Sequence, residues 1–148
     1  MSFKHRTIAA FAALVATACA SETPRDPAPD LADTQWVVED IDNSGVVDRV
    51  ESTLSIDAGG RATGSGGCNR YFGDVTFANG SLSFGEIGST RMACPEAVMD
   101  QEQRFFGALS ATTAYRQDAL TGLLYFQDEE GRDIVRLRRM RKIEAEEE

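Results

Sequence analysis

Three cysteines, a single histidine and two short arginine-bearing motifs hold most of the reactive side chains in this chain. Cys68 lies in Gly66-Gly67-Cys68-Asn69-Arg70-Tyr71-Phe72-Gly73, and Cys94 lies in Thr90-Arg91-Met92-Ala93-Cys94-Pro95-Glu96. An Asn79-Gly80 dipeptide between them is a hairpin turn signal, so the chain can double back and bring the two sulfurs together. As a bridge they would close a loop of about 27 residues and contribute roughly 3–4 kcal/mol by the chain-entropy argument. Two other readings stay open. Cys94 immediately precedes a helix start, where a helix dipole favours a reactive thiolate, or both thiols are buried and reduced.

Asn69, Arg70 and Arg91 sit inside the same motifs. Arginine offers a rigid fork for carboxylate or phosphate and asparagine a paired donor and acceptor, so the three could shape a ligand site. The structural reading beside it has Asn69 satisfying backbone groups at a bulge, with Arg70 or Arg91 paired to Glu96 or Glu102. Tyr71, Phe72, Phe77 and Phe84 read as core rather than as a binding platform. A further pattern runs through residues 40–51, where Asp40, Asp42, Ser44, Asp48 and Glu51 take the oxygen-donor positions of a calcium loop around Gly45. The flanking segments alternate like strands, not helices, so an acidic connection is expected and Ca2+ is the one ion left open.

Absences narrow the chemistry further. His5 is the only histidine and lies in a leader-like N-terminus. Without imidazole a mature chain has no Ser-His-Asp or Cys-His machinery and no histidine-built zinc site. No phosphate-binding glycine loop occurs either. The expectation is a protein that is not an enzyme, with no catalytic residue and no cofactor.

The N-terminus sets the compartment. Lys4, His5 and Arg6 precede an uncharged, alanine-rich run and then Cys19. That is how a secretory leader reads, and the run falls short of the ~20 residues that span a bilayer. Ala16-Thr17-Ala18-Cys19 looks like a lipobox, which would make residues 1–18 a lipoprotein signal peptide and Cys19 the lipidated N-terminus. Ala18-Cys19-Ala20 also satisfies the small-x-small rule of ordinary cleavage. Lipidation of Cys19 would leave Cys68 and Cys94 as an even pair. Export to the periplasmic face is expected, with the membrane as partner through the lipid. Ala20 after the cysteine favours the outer membrane over the inner.

Residues 19–33 hold three of the four prolines and few large apolar side chains, the composition of an extended acidic tether. With Lys4 and Arg6 removed from the 15 basic residues, thirteen face 24 acidic ones, a net charge of −11. Such a surface repels phosphate backbones and argues against nucleic acid as a partner.

About 110 residues between tether and tail suit one domain with one core. Period-two alternation marks Thr34–Ile41, with Trp36 and Val38 on one face and Val37, Glu39 and Ile41 on the other, and marks residues 52–57 after it. Residues 61–72 read as one long strand, in which Gly64, Gly66 and Gly67 signal a bulge or a close approach by another backbone. Residues 75–77 and 81–87 flank the Asn79-Gly80 turn. Residues 95–109 are helix-like: Pro95 suits the first turn, Glu96 and Asp100 complement the dipole, and Val98, Phe105, Leu109 and Thr112 recur at helical spacing. Residues 114–120, 123–127 and 133–140 complete the strands, and 141–148 form a charged tail. Short turns between antiparallel neighbours, with one helix between the halves, point to an α+β domain. Its sheet curls into a small open barrel with an amphipathic helix packed on it.

The two cysteine motifs, with the helix-like run behind them, closely resemble the META domain of HslJ-like bacterial proteins. The resemblance covers most of residues 34–140. It implies a small cracked antiparallel β-barrel of lipocalin-like topology with a helix against it. It also implies a non-enzymatic envelope lipoprotein that contributes to stress tolerance or envelope integrity through an envelope protein or a ligand. A similarity in fold to lipid-binding pilot lipoproteins of secretion systems gives the alternative, a carrier for a small apolar ligand held in an internal cavity. A thiol redox protein working through Cys68 and Cys94 is the second alternative.

Overall fold

In the computed structural model, which describes residues 31–78 and 81–140, alternating apolar and polar positions build nine strands and one helix among the described residues. The strands are β1 (Thr34–Ile41), β2 (Thr53–Ile56), β3 (Arg61–Ser65), β4 (Arg70–Ala78), β5 (Ser81–Phe84) and β6 (Gly88–Ser89). After the helix α1 (Glu96–Ala111) come β7 (Ala114–Gln117), β8 (Leu124–Gln127) and β9 (Asp133–Arg139). They hydrogen-bond in the order β3-β2-β1-β9-β8-β7-β5-β4-β6, and an additional β3–β4 pairing closes the ring. The pairings between these strands are antiparallel, as short connections require. The ring is uneven. β5 and β7 meet only at Ser81↔Ala114, helped by the Leu82 N–H donating to the Thr113 carbonyl at 3.1 Å. This loose seam is the crack in an otherwise continuous barrel, and α1 packs against β5, β1 and β9. The expected α+β open barrel is the observed one.

Trp36, Phe105 and Phe126 fill the interior together with Leu54, Ile56 and Leu82, all at most 1% exposed. Burying indole costs little here, because Trp36 Nε1–H donates to Thr34 Oγ1 at 2.8 Å. Phe77 and Phe84 pack half-buried against this core. Tyr71 is buried among them, edge-on to Phe105 and Phe106.

Several boundaries differ from the sequence reading, each for a local reason. Residues 61–72 form not one strand but the β3–β4 hairpin, whose turn is closed by the Gly66 N–H donating to the Asn69 carbonyl at 2.8 Å. Residues 75–77 are the far half of β4. The close approach expected at these glycines does occur: a Cβ on Gly64 would stand 2.1 Å from the Thr53 carbonyl oxygen. In β1 the register shifts between Val38 and Asp40, so the alternation changes parity and Ile41 joins Trp36 and Val38 inside. Phe72 is 49% exposed and not core, because its neighbour Tyr71 takes the inward position of β4. At the N-terminal side, Leu31 is 1% exposed and Ala32 bridges Ile56, so residues 31–33 of the expected tether pack onto the domain.

The leader, Cys19 and residues 20–30 of the tether lie outside the described residues, as do the Asn79-Gly80 turn and the 141–148 tail. β4 and β5 pair as far as Ala78↔Ser81, which leaves a two-residue connection between them. No described helix is long and apolar enough to cross a membrane.

Candidate functional site

The two cysteine motifs converge on the first half of α1. Cys68 and Cys94 are joined by a disulfide across 26 residues, with Cα atoms 6.0 Å apart. Next to it Asn69, 3% exposed, uses both ends of its amide. Its Oδ1 accepts from the Met92 N–H at 2.6 Å and from Thr90 Oγ1 at 3.0 Å. Its Nδ2 donates to the Met92 carbonyl at 3.4 Å and to Glu102 Oε1 at 2.7 Å. Glu102 completes the arrangement from the helix, where Oε2 accepts the backbone N–H groups of Asn69 at 2.5 Å and Cys68 at 3.1 Å. Glu102 is only 4% exposed and its two oxygens accept three N–H bonds, which is how a buried carboxyl is accommodated.

Gln101, beside it and fully buried, fastens a second loop. Its Oε1 accepts the Val47 N–H, and its Nε2 donates to Ser52 Oγ at 3.1 Å, which in turn donates to the Gly66 carbonyl at 2.6 Å. Two adjacent polar side chains on one helical turn therefore hold the 47–52 loop and the 66–69 turn, and through Asn69 the 90–92 segment. The spacing Val98, Gln101, Phe105, Leu109 and Thr112 placed Gln101 on the inward face of the helix, and Glu102 borders it. The sequence reading puts Val98, Phe105, Leu109 and Thr112 on that face and names Glu102 only as a partner for Arg70 or Arg91, so the roles of Gln101, Glu102 and Ser52 are not visible in it.

The candidate residues do not all gather. Asn69 sits beside the disulfide and shares a hollow with Arg91, whereas Arg70 lines a separate one. Neither arginine forms an ion pair with a described residue, because Glu102 is committed to N–H groups in the interior. In the 40–51 loop, Asp40 accepts the N–H groups of Asn43 and Gly45, each at 2.8 Å. Asp40, Asp42, Asp48 and Glu51 are not grouped to hold a metal: among the described residues no cluster of three or more His, Cys, Asp or Glu is so placed. The loop is shaped by Asp40 at its start and by Gln101 at its end.

One surface stands apart in charge. Across the outer face of β1 to β4, Gln35, Ser55, Thr63 and Phe72 follow one another in register, forming the floor of a groove of about 780 Å³. Arg61 and Arg70 stand at its two ends along the β3–β4 hairpin, and the Arg61 guanidinium lies 5.2 Å from the centre of the exposed Phe72 ring. None of its described lining residues is a carboxylate, although the chain carries 24 of them.

An antiparallel ring with one loose seam, a single covering helix and two motifs stapled by a disulfide defines a class of small cracked-barrel domains. Within that class the chain belongs to the META domain family, whose profile matches residues 29–141. It is similar to a protein from Burkholderia xenovorans solved by NMR, at 27% identity and a TM-score of 0.64, over 93% of this chain and 97% of that one. A second NMR structure matches in fold alone, at 20% identity and a TM-score of 0.57, over 74% of this chain and 91% of that one. No curated protein matches the chain.

Proposed function

We propose that this META domain is the non-enzymatic working part of a cell-envelope lipoprotein, supporting stress tolerance or envelope integrity by contact with another protein or a ligand. One observation carries the reading: Asn69 and the two cysteines of the motifs, with Glu102 from the helix, are spent on the fold. Asn69 uses both amide atoms, Glu102 both oxygens, and the two motif cysteines are bonded to each other. None is left in the free, paired geometry of a nucleophile and its base. The leader-like N-terminus and Cys19 support a lipid anchor on the periplasmic side, and the acidic balance favours partners other than nucleic acid. An acyl carrier is disfavoured by the interior, which Trp36, Phe105 and Phe126 occupy.

Mass spectrometry of protein purified from its own membranes tests the anchor. The expected species begins at a diacylglyceryl-modified Cys19 and lacks the two hydrogens of the Cys68 and Cys94 thiols, whereas an uncleaved leader rejects export. Complementation of a deletion strain under envelope stress tests the role: Cys19→Ala is expected to lose protection while leaving the domain folded, and full protection by that variant rejects an anchored function.

A further inference from the structure

Charge and reach single out an occupant for the groove on β1 to β4. The Met140 N–H donates to the Gln35 carbonyl at 2.7 Å, and Met140 itself lines the groove. The chain therefore leaves β9 at the groove's β1 edge. The residues that follow are Arg141, Lys142, Ile143, Glu144, Ala145, Glu146, Glu147 and Glu148. From β1 to β4 the groove is three strand spacings wide, about 14 Å. An extended chain advances about 3.3 Å per residue, so four residues past Met140 could reach about 13 Å and eight about 26 Å. The glutamates, which begin at the fourth of these residues, would thus be within reach of the arginine-bearing β3–β4 hairpin, and the basic pair Arg141 and Lys142 would fall short of it.

We propose that this groove is the docking site of the chain's own acidic segment, residues 144–148, held by Arg61 and Arg70 with Ile143 passing towards the exposed Phe72 ring. Two features favour this occupant. The lining combines two arginines with hydroxyl and amide side chains and has no described carboxylate to repel a run of glutamates. Asp74, which faces Arg61 across the hairpin, lies outside the lining and forms no ion pair with it, so the guanidinium remains available.

Isotope-labelled mature protein, compared with the same chain lacking residues 141–148, provides the test. Expected are resonance shifts at Ser55, Thr63, Arg70 and Phe72 on truncation, reversed by adding a synthetic peptide of residues 141–148. The peptide's dissociation constant is expected to rise at least about tenfold between low and high salt, as a contact between exposed charges requires. Replacing the four tail glutamates with Gln, or Arg61 and Arg70 together with Gln, is expected to abolish the effect. Both arginines are exposed, so the folded spectrum elsewhere should persist. Shifts confined to Arg139 and Met140, a peptide that binds equally well to the doubly substituted protein, or shifts that grow with protein concentration because a second copy supplies the tail would each overturn intrachain docking.

Discussion

Glu102 is the residue on which the two motifs depend, and its role gives a sharp substitution test. In Glu102→Gln, whichever way the new amide turns, its NH2 group faces a donor. On one side stand the backbone N–H groups of Cys68 and Asn69, and on the other Asn69 Nδ2. Asn69 cannot flip to compensate, since its Oδ1 already receives the Met92 N–H. A loss of about 2–3 kcal/mol in urea unfolding is expected from donors left unmatched in the interior; stability within about 0.5 kcal/mol of wild type would remove the role assigned to Glu102. Gly66→Ala tests the same spot from the other side. An added Cβ would stand 2.7 Å from Glu102 Cγ and from the Phe106 ring, so a loss of similar size is expected together with displacement of the Glu102 bonds. At this scale the sequence displayed the cysteines and Asn69, whose types are informative wherever they occur. It displayed Glu102 only as an ion-pair partner for Arg70 or Arg91, because a glutamate on a helix reads equally well as a solvated surface charge.

Among the elements, α1 acts less as a cover for the sheet than as a rack for loops. Gln101→Ala is expected to free the 47–52 loop while leaving the barrel intact. Exchange of the Val47 amide should accelerate by at least about tenfold, with the β1 and β9 amides unchanged; uniform acceleration across the domain would mean that the loop has no separate fastening. The disulfide ties the β3–β4 turn to the approach of the same helix. Replacing Cys68 and Cys94 by Ser is expected to cost about 3–4 kcal/mol, read as a lower denaturant midpoint, for cysteines separated by 26 positions. Strand identities were legible where alternation was unbroken, as in β2 and β8. They were lost where glycines served two purposes. Gly64 permits a neighbouring backbone to approach, as its type suggests, whereas Gly66 opens a tight turn that the glycine pattern does not distinguish from a bulge within one strand. The parity change at Val38 and Asp40 was equally hidden, since a bulge leaves no mark of its own in a hydrophobic pattern.

At the scale of the whole molecule the curled antiparallel sheet with one helix was readable, because short connections leave few ways to arrange neighbouring strands. The β5–β7 seam was not, for it depends on how far a ring of uneven strands can close. Closure also buries Tyr71, whose O–H donates to the Thr53 carbonyl at 2.9 Å, and this sets the alkaline limit of the domain. Burial pushes the Tyr71 phenol far above its usual range. A free phenol ionises near pH 10, so above that pH the unfolded chain releases a proton that the folded chain keeps, and stability falls as pH rises. The contribution is complete below about pH 10 and is lost progressively beyond it. Lysine adds little to this arm, since Lys4 and Lys142 are the only two in the sequence. Phenolate absorbance from Tyr71 should therefore appear only with unfolding. Tyr71→Phe is expected to lower stability at neutral pH by about 1 kcal/mol, through the lost bond to Thr53, and to flatten the alkaline decline. An unchanged slope in that variant would show that another group titrates with the fold.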